Sequence, residues 1–170
     1  AMLPQKHKKD APVRRLAPSL EEAILTFYLA TAVRYQREGA QPPSSMMVNV
    51  SRFNNVQEKF STLIQHYIDQ VNEELFASAA YFSGEDERLT RIVRRLSEIS
   101  AAHFPGLDIK VESLGYELQR VAEDVHTELV NGLTMKERND RLSGFSRKRL
   151  AEWKKRPVIF VGGNVLARGL

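Results

Sequence analysis

The spacing of apolar residues divides the chain into helices and short strands. Pro157–Val161 form a continuous apolar run that is too short for a helix, and a pair of glycines follows it. Such a run is typical of a strand that is buried on both faces, as in a parallel sheet covered by helices. Runs of alternating and β-branched residues predict two further strands, at residues 46–51 and 125–131.

Apolar residues at steps of three and four predict the helices between these strands. The predicted helices cover residues 19–37, 54–81, 85–104, 108–122 (or 113–122, if Ser113 begins the helix) and 145–155. Ser19 is a suitable N-cap for the first helix, and Asn54 or Asn55 for the second. The third is expected to open on the acidic segment Glu85–Glu87, because negative charge is favourable at a helix N-terminus.

Strands separated by helices are typical of an α/β fold with a parallel sheet. We predict a helix-rich domain over residues 18–170, with a sheet of about three strands, a large helical insertion at about residues 80–122 and a polar loop at 132–144. Residues 1–17 carry five cations against one carboxylate. We interpret them as a basic linker or, alternatively, as an arm that contacts phosphates.

Composition and charge narrow the classes of function only slightly. The 170-residue chain has a formal net charge of +4 and 42% hydrophobic residues, which is ordinary for a globular protein with a basic balance. Cysteine is absent, which excludes disulfides, thiolate zinc sites and a cysteine nucleophile. No apolar run approaches the roughly 20 residues that span a bilayer, and no secretory signal is present, so we expect a cytoplasmic protein without a membrane partner.

Three segments resemble the Z1 domain family, a family of endonuclease-like proteins. Residues 50–53, Val-Ser-Arg-Phe, follow an apolar strand and are similar to an early motif of that family. Residues 19–24 resemble the helix before this motif, and residues 161–170, Val-Gly-Gly-Asn-Val-Leu-Ala-Arg-Gly-Leu, are similar to a later signature. With the predicted strand at 125–131 between them, the resemblance covers roughly residues 12–170.

The resemblance implies a partial RecA-like lobe, similar to the second lobe of superfamily two helicases. The complete protein would be an ATP-dependent DNA-processing enzyme of bacterial restriction or phage defence, with ATP and Mg²⁺ as cofactors and DNA as a partner. The resemblance places nucleic-acid contacts at Ser51, Arg52, Phe53 and Asn54. The residues that it implies for coupling ATP state to strand contact are Gly162, Gly163, Asn164, Arg168 and Gly169.

The resemblance also implies missing parts, because the sequence stops before the family's later motifs and lacks the first RecA-like lobe. We therefore expect the fragment alone to hold no cofactor and to be inactive as an ATPase. Its expected partners are that first lobe, DNA, and a second copy through an exposed edge of the sheet. The alternative function is a non-catalytic helical module that binds another protein.

The residues themselves leave the roles of these positions open. Gly162–Gly163 allow a phosphate to approach backbone N–H groups closely, but a tight turn explains them equally well. Arg52 and Arg168 can hold phosphates or form ordinary surface contacts. Asn54, like Asn55, can bond a nucleic-acid backbone or cap the helix.

Other candidate chemistry is weaker. No phosphate-binding P-loop motif occurs. Glu152 and Lys154 have the Glu-x-Lys spacing of many restriction nucleases, but we interpret them as the solvated face of a basic helix. The four histidines are scattered, so we predict no metal site. Trp153 and Phe145 lie among cations, where they either stack on bases or anchor a helix.

Overall fold

The computed structural model describes residues 6–39, 42–85, 87–106, 110–163 and 166, which belong to two compact units. The sheet unit comprises residues 1–17, 43–66 and 126–170, and the helical unit comprises residues 18–42 and 67–125. In chain order the elements are α1 (Pro18–Glu38), β1 (Ser45–Asn49), α2 (Asn54–Ala77), α3 (Ala79–Phe82), α4 (Arg91–His103), a 3₁₀ turn (Val111–Leu114), α5 (Gly115–Asp124), β2 (His126–Val130), α6 (Thr134–Ser143), α7 (Arg147–Lys155) and β3 (Val158–Gly162).

The sheet unit is built on three parallel strands in the order β1-β3-β2. Ser45 and His126 both pair with Val158, so the three strands start in one register. Every residue of β3 is buried, as expected for a strand that has a neighbour on each side and is covered on both faces. The predicted α/β fold, with a helix-rich chain and a three-stranded parallel sheet, is confirmed.

The segment 132–144 was predicted to be a polar loop, and this prediction is wrong because the segment contains α6. None of the residues of α6 is buried, so its sequence lacks the apolar stripe that indicates a helix. The start of α6 is fixed by Asn131 instead. Its side-chain Oδ1 accepts hydrogen bonds from the backbone N–H groups of Leu133 (2.9 Å) and Thr134 (3.0 Å).

Ion pairs join α6 to the sheet. The carboxylate of Glu128 on β2 is only 7% exposed, and it accepts hydrogen bonds from Arg138 Nε (2.8 Å) and from the guanidinium of Arg141. A buried carboxylate requires such partners, because desolvation penalises an unpaired charge. Two cations on one helix thus add to the packing of Met135, the partly buried apolar residue by which α6 contacts the core of the sheet unit.

The helical unit packs α1 against α4 and α5. Its core is made of large side chains that recur at helical spacing, as the sequence predicts. The fully buried members include Ile24, Leu25, Tyr28, Leu29, Tyr35, Ile68, Leu75, Ile92, Leu96 and Ile99. Burial raises the pKa of Tyr28 well above its ordinary value, and its hydroxyl donates to Asn72 Oδ1 (2.7 Å).

α4 begins later than predicted, because Glu85 and Glu87 precede the helix instead of opening it. Thr90 is the N-cap, and its side chain accepts a hydrogen bond from a backbone N–H of the first turn. The carboxylate of Glu74 accepts a second one, from Ile92 N (3.0 Å). Glu74 on α2 therefore supplies the negative charge at the start of α4 that was predicted to come from Glu85–Glu87.

The remaining helices lie near their predicted positions, with two differences. The predicted helix 54–81 is interrupted at Ser78, whose hydroxyl donates to the backbone oxygen of Glu74 (2.6 Å). The predicted helix 108–122 consists of a 3₁₀ turn and α5, and its first two residues lie outside the described residues. Within the part of the chain that the structure describes, no helix is long and apolar enough to cross a membrane.

Candidate nucleic-acid interface at the carboxyl edge of the sheet

The three strands end side by side, and Ser51, Asn131 and Gly163 follow them at what we call the carboxyl edge. The backbone approach between β1 and β3 continues past their ends, since Val50 N donates to Gly162 O (2.9 Å). A Cβ atom added to Gly163 would lie 2.1 Å from Ser51 O. Only glycine permits this contact. The glycine pair of the sequence therefore allows the ends of the strands to pack closely.

Ser51, a predicted nucleic-acid contact, is buried and already bonded within the protein. Its Oγ accepts a hydrogen bond from Phe53 N (3.1 Å) and lies 2.7 Å from His7 Nε2. Its backbone oxygen accepts a hydrogen bond from Gln57 Nε2 (2.7 Å). This arrangement gives Ser51 a positioning role, because it fixes the turn that presents the next two residues.

Arg52 and the half-buried Phe53 form the outer part of that turn. The guanidinium of Arg52 lies over the Phe53 ring, 4.8 Å from its centroid, and Arg52 is exposed. The edge of the His7 ring contacts the same phenyl group, with 5.7 Å between centroids. The Phe53 ring therefore contacts the Arg52 cation on its face and the His7 ring at a second position.

Asn54 is the first residue of α2, so neither it nor Asn55 precedes the helix as an N-cap. The backbone oxygen of Phe53 instead accepts hydrogen bonds from the N–H groups of Val56 and Gln57 (both 3.1 Å). The predicted nucleic-acid contact thus lies in the first turn of a 24-residue helix. The positive end of the helix dipole favours anions near this turn.

The basic residues near the N-terminus lie against this turn. Together with Arg52 and Phe53, residues 6–10 line a cavity of about 860 Å³. Lys59 on α2 donates to Ala11 O (3.2 Å), which adds a second attachment besides His7. From the sequence alone, the basic arm at residues 6–10 and the Arg52–Phe53 turn were interpreted separately, and His7 was considered only as a metal ligand. No sequence signal relates the two segments, apart from their shared positive charge.

The charges around this cavity have one dominant sign. Three lysines from the arm and one arginine from the turn face a single carboxylate, and all five side chains are exposed. They are Lys6, Lys8, Lys9, Arg52 and Asp10. Lysine and arginine in this arrangement can neutralise several phosphates at once.

Two buried amides leave unused hydrogen-bonding atoms near the same edge. Among the described residues, Gln57 Oε1 and Asn131 Nδ2 have no partner, although both side chains are almost completely buried. Their other atoms are engaged, Gln57 Nε2 by Ser51 O and Asn131 Oδ1 by two backbone N–H groups. Unpaired buried amides are costly, so these atoms mark capacity for further bonds.

The second half of the predicted site is only partly described. Asn164, Arg168 and Gly169 lie outside the described residues, so their predicted roles remain predictions. Gly162 has no open space at its Cβ position, which would lie 2.3 Å from Val130 O. Gly162 and Gly163 therefore pack against protein backbone, and their predicted role in ATP coupling remains a prediction.

Within the described part of the chain, no group of three or more histidine, aspartate or glutamate side chains could hold a metal ion. Glu152 and Lys154 are exposed on α7, which confirms their interpretation as a solvated helical face.

The fold and this edge together define an α/β protein with a parallel sheet and a basic surface where the strands end. The model of the Z1 domain family matches residues 19–170. The chain therefore belongs to the Z1 domain family. No curated protein and no solved structure matches the chain.

Proposed function

We propose that the carboxyl edge of the sheet unit binds the phosphate backbone of DNA, within an ATP-dependent DNA-processing protein. The observation that carries this proposal is the cavity shared by the basic arm and the Arg52–Phe53 turn. Backbone contacts of this kind release condensed counterions, which makes binding strong at low salt and independent of sequence.

In this proposal the residues have different tasks. Arg52 and the arm lysines contact phosphates, since they are exposed and aligned around one cavity. Ser51 acts indirectly, because both its oxygens are bonded within the protein and hold the turn in place. Asn54 contributes through the first turn of α2, where backbone N–H groups and the helix dipole favour an anion.

The proposed role in ATP coupling rests on the family resemblance. ATP and Mg²⁺ would supply phosphoryl-transfer chemistry in the complete RecA-like protein, together with another lobe. The ATP contact would fall to the predicted coupling residues, which are Gly162, Gly163, Asn164, Arg168 and Gly169. The packing of Gly163 on Ser51 O would transmit a shift of these residues to the DNA-binding turn.

The test is a titration of duplex DNA at several salt concentrations. The double variant Lys8→Gln/Arg52→Gln removes one lysine of the arm and the arginine of the turn. Each lost phosphate contact lowers the slope of log K against log salt by about 0.9, so we expect a slope reduced by about 2. Affinity at low salt should fall at least about tenfold, since electrostatic contacts dominate non-specific binding.

The matched control is Arg37→Gln/Lys110→Gln. Both of these residues are exposed in the helical unit, and the variant loses the same net charge. We expect it to bind DNA almost as the wild type does. An equal loss of DNA affinity in the two variants would mean that the overall charge of the protein, and not the position of these residues, determines binding. If the wild type does not bind DNA at low salt, the proposal is wrong and the protein-interaction module becomes the better explanation.

A further inference from the structure

The opposite edge of the sheet, where the three strands begin, carries a second cavity. Its volume is about 320 Å³, at the lower end of the ~300–1,000 Å³ that is usual for small-ligand sites. Its walls come from the starts of β1, β2 and β3 and from α6 and α7. All of these elements belong to the sheet unit.

One wall of this cavity is aromatic and apolar. Trp153 on α7 is half-buried, and Val158 and Phe160 of β3 line the cavity beside it. The ring of His126 lies near the indole, with 6.2 Å between centroids. None of the residues of α7 is fully buried, so part of the indole remains accessible in the cavity. A partly open indole beside apolar side chains offers a stacking surface for a planar ring.

The charged side chains that line the cavity are cations. Arg138, Lys154 and Arg156 line the cavity, and none of its described lining residues is a carboxylate. Arg138 is committed elsewhere, because it pairs with Glu128 and lies 5.7 Å from the indole centroid. Lys154 and Arg156 flank Lys155 in the sequence. Both are exposed, and they give the cavity a positive rim. An anionic group beside the aromatic wall would complement this arrangement.

We propose that this cavity binds a nucleotide, with its base against Trp153 and its phosphate at Lys154 and Arg156. Such a ligand combines the two properties that the cavity selects, a planar ring and a negative charge. It could be a free mononucleotide or a nucleotide within a single strand. The site uses none of the residues of the carboxyl edge, so it stands independently of the proposed backbone contact.

Trp153 is the only tryptophan in the chain, so its fluorescence reports directly on this cavity. Deoxyadenosine monophosphate, deoxyadenosine, inorganic phosphate and a short single-stranded oligonucleotide should be titrated separately. Excitation at the red edge of indole absorption avoids absorption by the bases. We expect saturable quenching by the mononucleotide, weaker quenching by the nucleoside and none by phosphate. If the oligonucleotide binds more tightly than the mononucleotide, the ligand of the site is a single strand. If the two bind equally tightly, the ligand is a free nucleotide.

The variant Lys154→Gln/Arg156→Gln should raise the Kd for the mononucleotide at least about tenfold, because both charge-assisted contacts are lost. The control Lys148→Gln/Lys155→Gln removes the same charge from exposed residues outside the cavity. It should leave the Kd unchanged. Absence of saturable quenching by any nucleotide, equal losses in both variants, or quenching by phosphate alone would each overturn the proposal. Retained salt-dependent DNA binding in the Lys154/Arg156 variant would show that the proposed function stands separately.

Discussion

Gly163 shows how one residue without a side chain can position a surface. It allows the end of β3 to pack on the backbone of Ser51, and Ser51 in turn holds the turn that displays Arg52. The glycine pair was recognisable in the sequence, where a phosphate loop and a tight turn explained it equally well. The close packing that the structure shows depends on the backbone of the segment after β1, which no local pattern reveals.

Replacing Gly163 with alanine should therefore destabilise the protein strongly. The added Cβ would lie 2.1 Å from Ser51 O and 2.5 Å from Gln57 Nε2, so backbone has to move. We expect the free energy of unfolding to fall by about 2 kcal/mol or more, as in overpacked cores. Chemical denaturation measures this change.

Gly132→Ala is the matched control, because nothing lies within 4 Å of its Cβ position. Its free energy of unfolding should change by no more than about 0.5 kcal/mol. Similar losses in the two variants would mean that Gly163 matters only through chain flexibility.

At the scale of elements, the strands and apolar helices were predictable, and α6 was not. β3 has five apolar or small residues in sequence, and the buried faces of α1 and α2 repeat at helical spacing. α6 has no buried face. Besides the packing of Met135, it is held by the ion pairs of its two arginines with Glu128. The partner precedes these cations by 10 and 13 residues, across a turn, so no helix-period rule detects it.

Glu128→Gln should loosen α6 from the sheet. The variant keeps the shape of the side chain but leaves Arg138, whose side chain is only 19% exposed, without its counter-charge. We expect a loss of about 1–3 kcal/mol in stability, below the cost for a fully buried pair, since water can reach Arg141. Hydrogen exchange should show faster opening of α6, and denaturation should give the free energy.

The comparison variant is Glu137→Gln, which removes an exposed carboxylate from the same helix. It should lower the stability by no more than about 0.3–1 kcal/mol, the contribution of an exposed acid in the first turn of a helix, and leave the exchange of α6 nearly unchanged. If it costs as much as Glu128→Gln, the ion pairs across the turn do not hold the helix.

At the scale of the whole molecule, the order of elements gave the fold class correctly. Strands separated by helices indicate a parallel sheet, and that rule needs no knowledge of individual contacts. The described residues of the predicted insertion, about 80–122, all belong to the helical unit. The attachment of the basic arm was beyond prediction, because it depends on His7 and Ala11 meeting residues more than 40 positions away.

Stability in acid should depend on Glu22, which joins α1 to α4 in the helical unit. A hydrogen bond from His103 (2.8 Å) lowers the pKa of Glu22, and the Arg95 guanidinium lowers it further, against the opposing effect of desolvation. A carboxyl whose pKa is lower in the folded state stabilises the protein above its unfolded pKa. That contribution disappears as pH falls through the folded value.

Glu22→Gln should therefore be less stable than the wild type at neutral pH, and the difference should shrink as pH falls below about 4.5. Thermal unfolding over a series of pH values measures it. Glu73→Gln removes an exposed carboxylate from α2 and should show no such convergence at low pH. A difference for Glu22→Gln that is independent of pH would exclude the ionised carboxylate as its cause.

The central position of β3 also sets an order of events during synthesis. β3 comes after both of its neighbours in the chain, and in the described sheet β1 and β2 pair only with it. Both outer strands therefore leave the ribosome before β3, and neither can pair with it until residues 158–162 have been synthesised. The helical unit, complete at residue 125, can fold meanwhile. The edges of β1 and β2 that pair with β3 are thus exposed for part of the synthesis, which is the interval in which chaperones would be needed most.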